Sequence, residues 1–149
     1  MIREAVKNDI DGLMYLYKQL HDTHVYEQPP HTDERIMSVW ERICGDSGYH
    51  MIVAEEDGKI VSTCTCIIIP NLTREQRPYA FVENVVTDSE YRGRGLVTAC
   101  LDFARDIAVH EGCYKMMLLT GSKEEKTLKF YENAGYSRHT KTAFQQELK

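Results

Sequence analysis

The 149-residue sequence contains no apolar run close to the roughly 20 residues that a membrane-spanning helix requires. It is also poor in positive charge, because 18 lysines and arginines stand against 23 aspartates and glutamates and leave a net charge of −5. That balance argues against a general nucleic-acid binder and weakly favours a small cationic substrate. The sequence has neither a Cys-x-x-Cys pair nor a matched histidine cluster. These absences predict a protein without a membrane, nucleic-acid or metal partner.

A disulfide framework is not indicated either. The five cysteines are an odd number, and no secretory signal peptide is recognisable. Reduced thiols explain both observations, so we expect a cytoplasmic protein. The length suits one compact domain, and no linker or internal repeat divides the chain. We therefore predict a single domain over residues 1–149.

Strand-like and helix-like segments alternate along the chain. Apolar patterning predicts strands over residues 2–6, 50–55, 60–69, 81–86 and 114–120, and a final strand or hairpin over 136–148. Four helices are predicted between them, with caps or stops at Asn8 or Asp9, Thr32, Gly112 and the Ser122-x-x-Glu125 capping box. This order predicts an α/β (equivalently α+β) fold in which helices cover both faces of a mixed sheet.

A glycine-rich turn joins a strand to a helix within residues 81–97. Unpaired N–H groups in the first turn of a helix attract anions, and the helix dipole adds to that attraction. Glycines remove side chains that would hold a ligand away from the backbone, and arginines add donors suited to phosphate oxygens. The segment predicts a diphosphate site, although a plain strand-to-helix turn has the same composition. The turn is Arg92-Gly93-Arg94-Gly95, and the apolar helix face after it is Leu96, Cys100, Phe103 and Ile107.

Two familiar phosphate-binding loops do not fit this turn. A dinucleotide-binding fingerprint requires a third glycine at position 98, where the sequence has Thr98. A Walker loop requires Gly-Lys-Ser/Thr after four spacer residues, and the sequence has no such string. A nucleotide-phosphate binder of another kind stays open as an alternative.

Residues 81–97, together with residues 113–119 and 130–136, resemble the GNAT superfamily of acetyl-CoA-dependent N-acetyltransferases. The superfamily signature is Arg/Gln-x-x-Gly-x-Gly/Ala, which residues 92–97 match except that Val97 replaces the usual small residue. The resemblance implies a mixed, mostly antiparallel sheet of six to seven strands flanked by about four helices, with strands four and five splayed apart. It also implies acetyl-CoA as cosubstrate, a small-molecule or peptide amine as acceptor, and a homodimer.

The same resemblance places the cofactor. Backbone groups near the end of the fourth strand, at Val85, Val86 and Thr87, would bind the pantetheine amides and face the thioester oxygen. Many members carry a cofactor-binding asparagine at the position that Glu124 occupies here, so Lys126 and Thr127 are candidates to replace it. A solvated helix face explains Lys126 equally well. The diphosphate would lie on the turn and first helical residues, namely Arg92, Gly93, Arg94, Gly95, Leu96, Val97 and Thr98.

Two residues are candidates for the chemistry. Glu83 is a polar residue on an otherwise apolar strand and could take the proton of the amine, directly or through water. That proton matters because an amine with a pKa of about 10.4 must lose it at a cost of roughly 4–5 kcal/mol near pH 7. A solvent-facing or ion-paired glutamate is the alternative for Glu83. Tyr131 aligns with the superfamily's general-acid tyrosine, and a core aromatic is the alternative there.

The acceptor is predicted to lie between two loops, residues 21–31 and 70–78. By strand alternation, Asn84 should point to the face opposite Glu83. Candidate acceptor contacts are His24, Tyr26, Glu27 and Asn84.

One branch of the superfamily is a particular point of similarity. Cys113-Tyr114-Lys115 and Phe130-Tyr131 resemble the glucosamine-6-phosphate acetyltransferases, in which an acid commonly follows the glutamate. Asn84 departs from that pattern. The leading prediction is therefore acetyl transfer to an amine of unspecified identity, and the main alternative is an acyl-CoA-binding module without catalysis.

Overall fold

The computed structural model describes residues 1–20 and 25–149, whose five strands form one sheet. The strands lie side by side in chain order, and all neighbours are antiparallel except β4 and β5, which are parallel. In chain order they are β1 (Ile2–Glu4), β2 (Tyr49–Glu56), β3 (Lys59–Ile69), β4 (Tyr79–Thr87) and β5 (Met116–Leu118). The helices are α1 (Ile10–Leu20), α2 (Glu34–Cys44), α3 (Leu96–His110) and α4 (Glu125–Asn133). The predicted mixed, mostly antiparallel class with four helices is confirmed.

The number of strands differs from the prediction of six to seven. The expected final strand or hairpin over residues 136–148 is wrong, because this stretch contains no strand. Its apolar side chains, Phe144 and Leu148, are 93% and 87% exposed. A strand on the free edge of β5 would have to bury one face, and these residues bury almost nothing. Arg138 instead pairs with Glu125 and Glu132 on α4, at 2.7 and 2.8 Å.

The sheet has a separate core on each face. On one face, Leu13 and Leu16 of α1 pack against Val53, Ile60 and Val86. We call this side the α1 face. The opposite α3 face is filled by α3 and three neighbouring strands, and side chains of α4 pack at its border. The buried residues of the α3 face are Ile52, Ala54, Val61, Cys64, Cys66, Ala80, Val82, Cys100, Leu101, Ala104 and Ala108.

The predicted hairpin turn is confirmed, and two of the predicted helix caps are wrong. The Asp57-Gly58 pair joins β2 to β3 with φ values of +49° and +78°, as a tight turn with two left-handed residues requires. The second helix is capped by Asp33 and not by Thr32, since the Asp33 carboxylate accepts hydrogen bonds from the N–H groups of Arg35 and Ile36. The capping box does not form at the start of α4, where Glu124 holds the cap position.

The five cysteines are unpaired. Burial raises the pKa of the Cys66 thiol to about 12 and that of Cys100 to about 11, so both stay protonated. Within residues 1–20 and 25–149, no helix is long and apolar enough to cross a bilayer. The same residues contain no group of three or more histidine, cysteine, aspartate or glutamate side chains placed to hold a metal ion.

Candidate active site

The sheet opens between β4 and β5. The two strands pair only where Ala80, Phe81 and Val82 lie beside Met116, Met117 and Leu118. Beyond this point β5 ends, whereas β4 continues to Thr87. The family resemblance implied that strands four and five splay apart, and their pairing does end after Val82 and Leu118. Among the described residues, no strand pairs with the β5-facing edge of residues 83–87.

A bulge interrupts β4 on its other edge, where it pairs with β3. Glu83 lies opposite Thr65 and Val86 lies opposite Thr63, so Asn84 and Val85 together face only Cys64. Asn84 has a φ of +52°, a left-handed conformation that asparagine tolerates better than most residues, and it is exposed. Simple alternation, on which the predicted orientation of Asn84 depended, therefore does not hold here.

Glu83 is half-buried and belongs to the α1 face. Its cross-strand neighbour is Thr65, and Tyr49 of β2 lies close by. Burial raises the pKa of Tyr49, and the Glu83 carboxylate adds to this effect. No side chain in the described part of the chain forms an ion pair or a hydrogen bond with Glu83. This argues against the ion-paired alternative and leaves the carboxylate available to a ligand.

The surroundings of Glu83 include hydroxyl groups that sequence reasoning missed. Thr65 Oγ1 and Tyr17 Oη are buried, and neither makes a hydrogen bond of good geometry with any described residue. Burial raises the pKa of Tyr17 to about 12. These groups come from α1 and β3, which the chain separates by some 40 residues, so no local sequence signal could have brought them together.

Tyr131 lies on the other side of the sheet. It is in α4, packs against the core of the α3 face, and makes edge contacts with Phe130 and Tyr136 at ring distances of 5.2 and 6.4 Å. Burial raises the pKa of Tyr131, and Cys64 adds to the shift. Cys64 is the residue that faces the bulge of β4. Glu83 therefore lies on the α1 face of the sheet, and Tyr131 packs on the α3 face against the core to which Cys64 belongs.

The turn after β4 has the open backbone that the sequence predicted. Gly93 and Gly95 have φ values of +77° and +75°, and a Cβ atom added to either would meet nothing within 4 Å. Gly95 is the cap residue of α3, and the first helical hydrogen bond is donated by Ala99 N–H to its carbonyl. Within the described residues, no side chain accepts a hydrogen bond from the N–H groups of residues 96–98 (Leu96, Val97 and Thr98). These amides are free to bind an anion.

The two arginines of the turn differ from each other. Arg94 stacks on Tyr91 with its guanidinium carbon 4.7 Å from the ring centre, and it pairs with Glu56 at 3.3 Å. Arg92 is exposed, and its Nε lies 3.4 Å from the Thr87 carbonyl oxygen, which accepts a weak hydrogen bond. Arg92 is thus the better placed of the two to meet a phosphate.

The remaining predicted residues lie in the first turn of α4 and in the segment before α2. Lys126 is exposed and Thr127 is half-buried, both in the first turn of α4. Tyr26 and Glu27 line an open cleft of about 330 Å³ beside α1, and Tyr26 also borders a cavity of about 500 Å³ between α1 and α2. His24 lies outside the described residues.

Comparison with known proteins finds similarity to acetyltransferases in both sequence and structure. The family model "Acetyltransferase (GNAT) family" matches residues 13–136. The glucosamine 6-phosphate N-acetyltransferase of Trypanosoma brucei brucei is 39% identical over 82 residues, which cover 55% of this chain and only 54% of that protein. Among solved structures, a provisionally assigned acetyltransferase from Agrobacterium tumefaciens str. C58 superimposes with a TM-score of 0.90 at 39% identity, covering 99% of both chains. Glucosamine-6-phosphate N-acetyltransferase from Arabidopsis thaliana superimposes with a TM-score of 0.84 at 28% identity, covering 98% of this chain and 97% of that one.

Proposed function

Because this chain belongs to the GNAT family of acetyltransferases, we propose that it transfers an acetyl group from acetyl-CoA to a primary amine. The observation that carries the proposal is the uncapped start of α3 beside the unpaired edge of β4. The free amides of residues 96–98 suit the diphosphate of CoA, with Arg92 beside them. The gap between β4 and β5 suits the pantetheine arm, which would run along the backbone of Val85, Val86 and Thr87.

The reaction we propose is a direct attack in a ternary complex. Glu83 takes a proton from the amine, directly or through water, and the amine nitrogen forms a bond to the thioester carbon. A β4 backbone N–H would stabilise the oxyanion, a contribution of roughly 3–4 kcal/mol in comparable acyl-transfer sites. The C–S bond then breaks, and the sulfur leaves with the bonding electrons as a thiolate to which Tyr131 donates a hydrogen bond. The nitrogen, which still carries one proton more than an amide nitrogen, releases that proton to the thiolate or to water.

A covalent acetyl-cysteine route is less well supported. Cys64 faces the bulge and is the cysteine nearest to the proposed reaction centre, but it is fully buried. Burial raises the pKa of the Cys64 thiol well above its usual range, and Cys100 and Cys66 add to the shift. A thiol that stays protonated is a poor nucleophile. Direct transfer therefore fits the described residues better than a two-step mechanism.

The acceptor we propose is a small amine that approaches from the α1 face, where Glu83, Tyr26 and Glu27 lie. Two of the relatives above are named for acetylation of glucosamine 6-phosphate, so amino sugars are the first compounds to test. The second candidate function is an acyl-CoA-binding module without catalysis. The presence of both Glu83 and Tyr131, on opposite faces of the sheet, favours the enzyme, since neither is needed to bind CoA.

Calorimetry and a thiol-release assay test this function together. Calorimetry should show CoA binding with a dissociation constant well below 1 mM, and weaker binding of ATP or NAD. The assay should then release free CoA from acetyl-CoA when amino sugars, polyamines, amino acids, aminoglycosides or peptides are supplied. CoA binding without thiol release on any amine would support the binding module. No CoA binding at millimolar concentration would overturn both functions.

A homodimer is also proposed, on the resemblance to the family, and a cytoplasmic location, on the odd number of cysteines and their unpaired state. The dimer is tested by sedimentation equilibrium of the full chain, which should give about twice the 17.2 kDa of one chain. A single-chain mass at concentrations of tens of micromolar would contradict it.

A further inference from the structure

A buried carboxylate anchors the turn that leads from β4 to α3. Asp88 is 1% exposed. Its Oδ1 accepts a hydrogen bond of 3.0 Å from Glu90 N–H, and its carbonyl accepts one of 2.8 Å from Tyr91 N–H. Its own N–H donates to the Val61 carbonyl of β3 at 2.9 Å. Asp88 therefore caps the short 3-10 turn Ser89–Tyr91 and ties it to the sheet.

Lys59 holds the other oxygen of this carboxylate. Lys59 is the first residue of β3, and its Nζ lies 2.9 Å from Asp88 Oδ2. The ammonium group also lies over two aromatic rings, 4.9 Å from the centre of Tyr91 and 5.6 Å from that of Tyr15. Lys59, followed by weaker contributions such as the Glu90 N–H, holds the pKa of the Asp88 carboxyl below its usual value. The pair is charged at neutral pH and links β3, α1 and the turn.

The first half of the turn is held through its backbone, whereas the second half is held by the side chain of Arg94, which contacts Tyr91 and Glu56. Gln19 of α1 adds a further contact, since its Oε1 accepts a 3.0 Å hydrogen bond from Ser89 N–H. By contrast, no atom lies within 4 Å of the Cβ positions that Gly93 and Gly95 lack. The course of the backbone that leads to the amides of residues 96–98 is therefore set by two supports, the anchor at Asp88 and Lys59 and the packing of α3 against the sheet.

We propose that Lys59 and Asp88 are positioning residues that aim the diphosphate-binding turn at the cofactor. Neither side chain is placed to touch acetyl-CoA, because Asp88 is buried and Lys59 is directed at it. The pair holds the turn in one conformation before the cofactor arrives. Cofactor binding then does not carry the entropy cost of ordering the turn. This inference rests on the proposed function.

The test compares two acetyl donors that differ only in the part that the turn would bind. Acetyl-CoA carries the diphosphate and S-acetylpantetheine does not. In Lys59→Met and Asp88→Asn, kcat/KM for acetyl-CoA should fall by about tenfold, within the hundredfold that a displacement of an ångström can cost. The loss should appear as a higher KM for acetyl-CoA with unchanged kcat. The value of kcat/KM for S-acetylpantetheine should stay unchanged. Lys59→Arg should restore most of the activity with acetyl-CoA.

Arg105→Met is the matched control, because it breaks an exposed pair with Asp102 at 2.9 Å on the surface of α3. It should leave both donors unchanged. An equal loss for both donors, or a lower melting temperature with unchanged kinetics, would show a purely structural role and overturn the inference. If Asp88→Asn does not fold, the comparison of the two donors is made with Lys59→Met alone. This variant should fold, because the Lys59 side chain is 40% exposed. A wild-type protein that does not bind CoA would instead overturn the proposed function.

Discussion

Replacing Glu83 by glutamine should lower kcat by about 10²- to 10⁴-fold, the usual contribution of a general base, and leave the affinity for CoA unchanged. Glutamine keeps the size of the side chain but cannot take a proton. The amine would then have to reach the site already deprotonated, which costs roughly 4–5 kcal/mol near pH 7 for an ordinary alkylamine. Steady-state kinetics of the full chain with saturating acetyl-CoA measure this loss.

The pH dependence distinguishes a lost base from a distorted site. As the pH rises toward the pKa of the free amine, more acceptor arrives without its proton, and the gap between wild type and Glu83→Gln should narrow. A distorted site would keep the gap constant. Glu111→Gln is a suitable control, because this glutamate is exposed at the end of α3. Wild-type kcat in Glu83→Gln at pH 7 would remove Glu83 from the mechanism.

Replacing Tyr131 by phenylalanine should lower turnover by about 10²-fold or less, while acetyl-CoA still binds. An ordinary phenol, with a pKa near 10, is already a weaker acid than a thiol near 8.5, so complete proton transfer is uphill by ~2 kcal/mol. Burial raises the pKa of Tyr131 further. Tyr131 should therefore act as a protonated hydrogen-bond donor to the leaving sulfur, and kcat should show no loss from its ionisation below pH 10.

Donor chemistry provides the check on this role. A thioester whose leaving thiol has a lower pKa than CoA needs less stabilisation, so Tyr131→Phe should then cost less activity. Tyr114→Phe is the control, since Tyr114 makes an edge contact with Tyr79 at a ring distance of 6.3 Å and lies in the segment before β5. Unchanged turnover in Tyr131→Phe with acetyl-CoA would leave Tyr131 as a packing residue only.

The features that the sequence predicted well are those that local residues determine. The turn at Gly93 and Gly95 follows from two left-handed glycines separated by one residue, and the hairpin at Asp57-Gly58 likewise depends on residues that tolerate a positive φ. Residues 136–148 show the opposite case. Their pattern is compatible with a strand, but a strand also requires a neighbour and an apolar face to bury. The exposure of Phe144 shows that the chain as described supplies neither.

The features that the sequence could not predict depend on register and on distant pairs. The bulge at Asn84 arises because β4 carries one residue more than β3 between two cross-strand pairs, and that count is visible only once the strands are aligned. Asp88 stands in a short run of polar residues, 87–90, but its partner Lys59 stands 29 positions earlier (88 less 59), in a hairpin. No periodicity or spacing relates two such residues.

The charges around the turn that we propose binds the cofactor largely cancel. Residues 88–95 contain two acids, Asp88 and Glu90, and two arginines, and the flanking Glu56 and Lys59 add one charge of each sign. Arg94 and Lys59 already have anionic partners before any ligand arrives. An incoming diphosphate would thus meet a nearly neutral rim, and its attraction would come mainly from fixed peptide dipoles at the start of α3. A small free anion, whose binding depends on uncompensated positive charge, should bind weakly to such a surface. A ligand long enough to fill the gap between β4 and β5 can also bind the oriented backbone groups there, and so should bind more tightly.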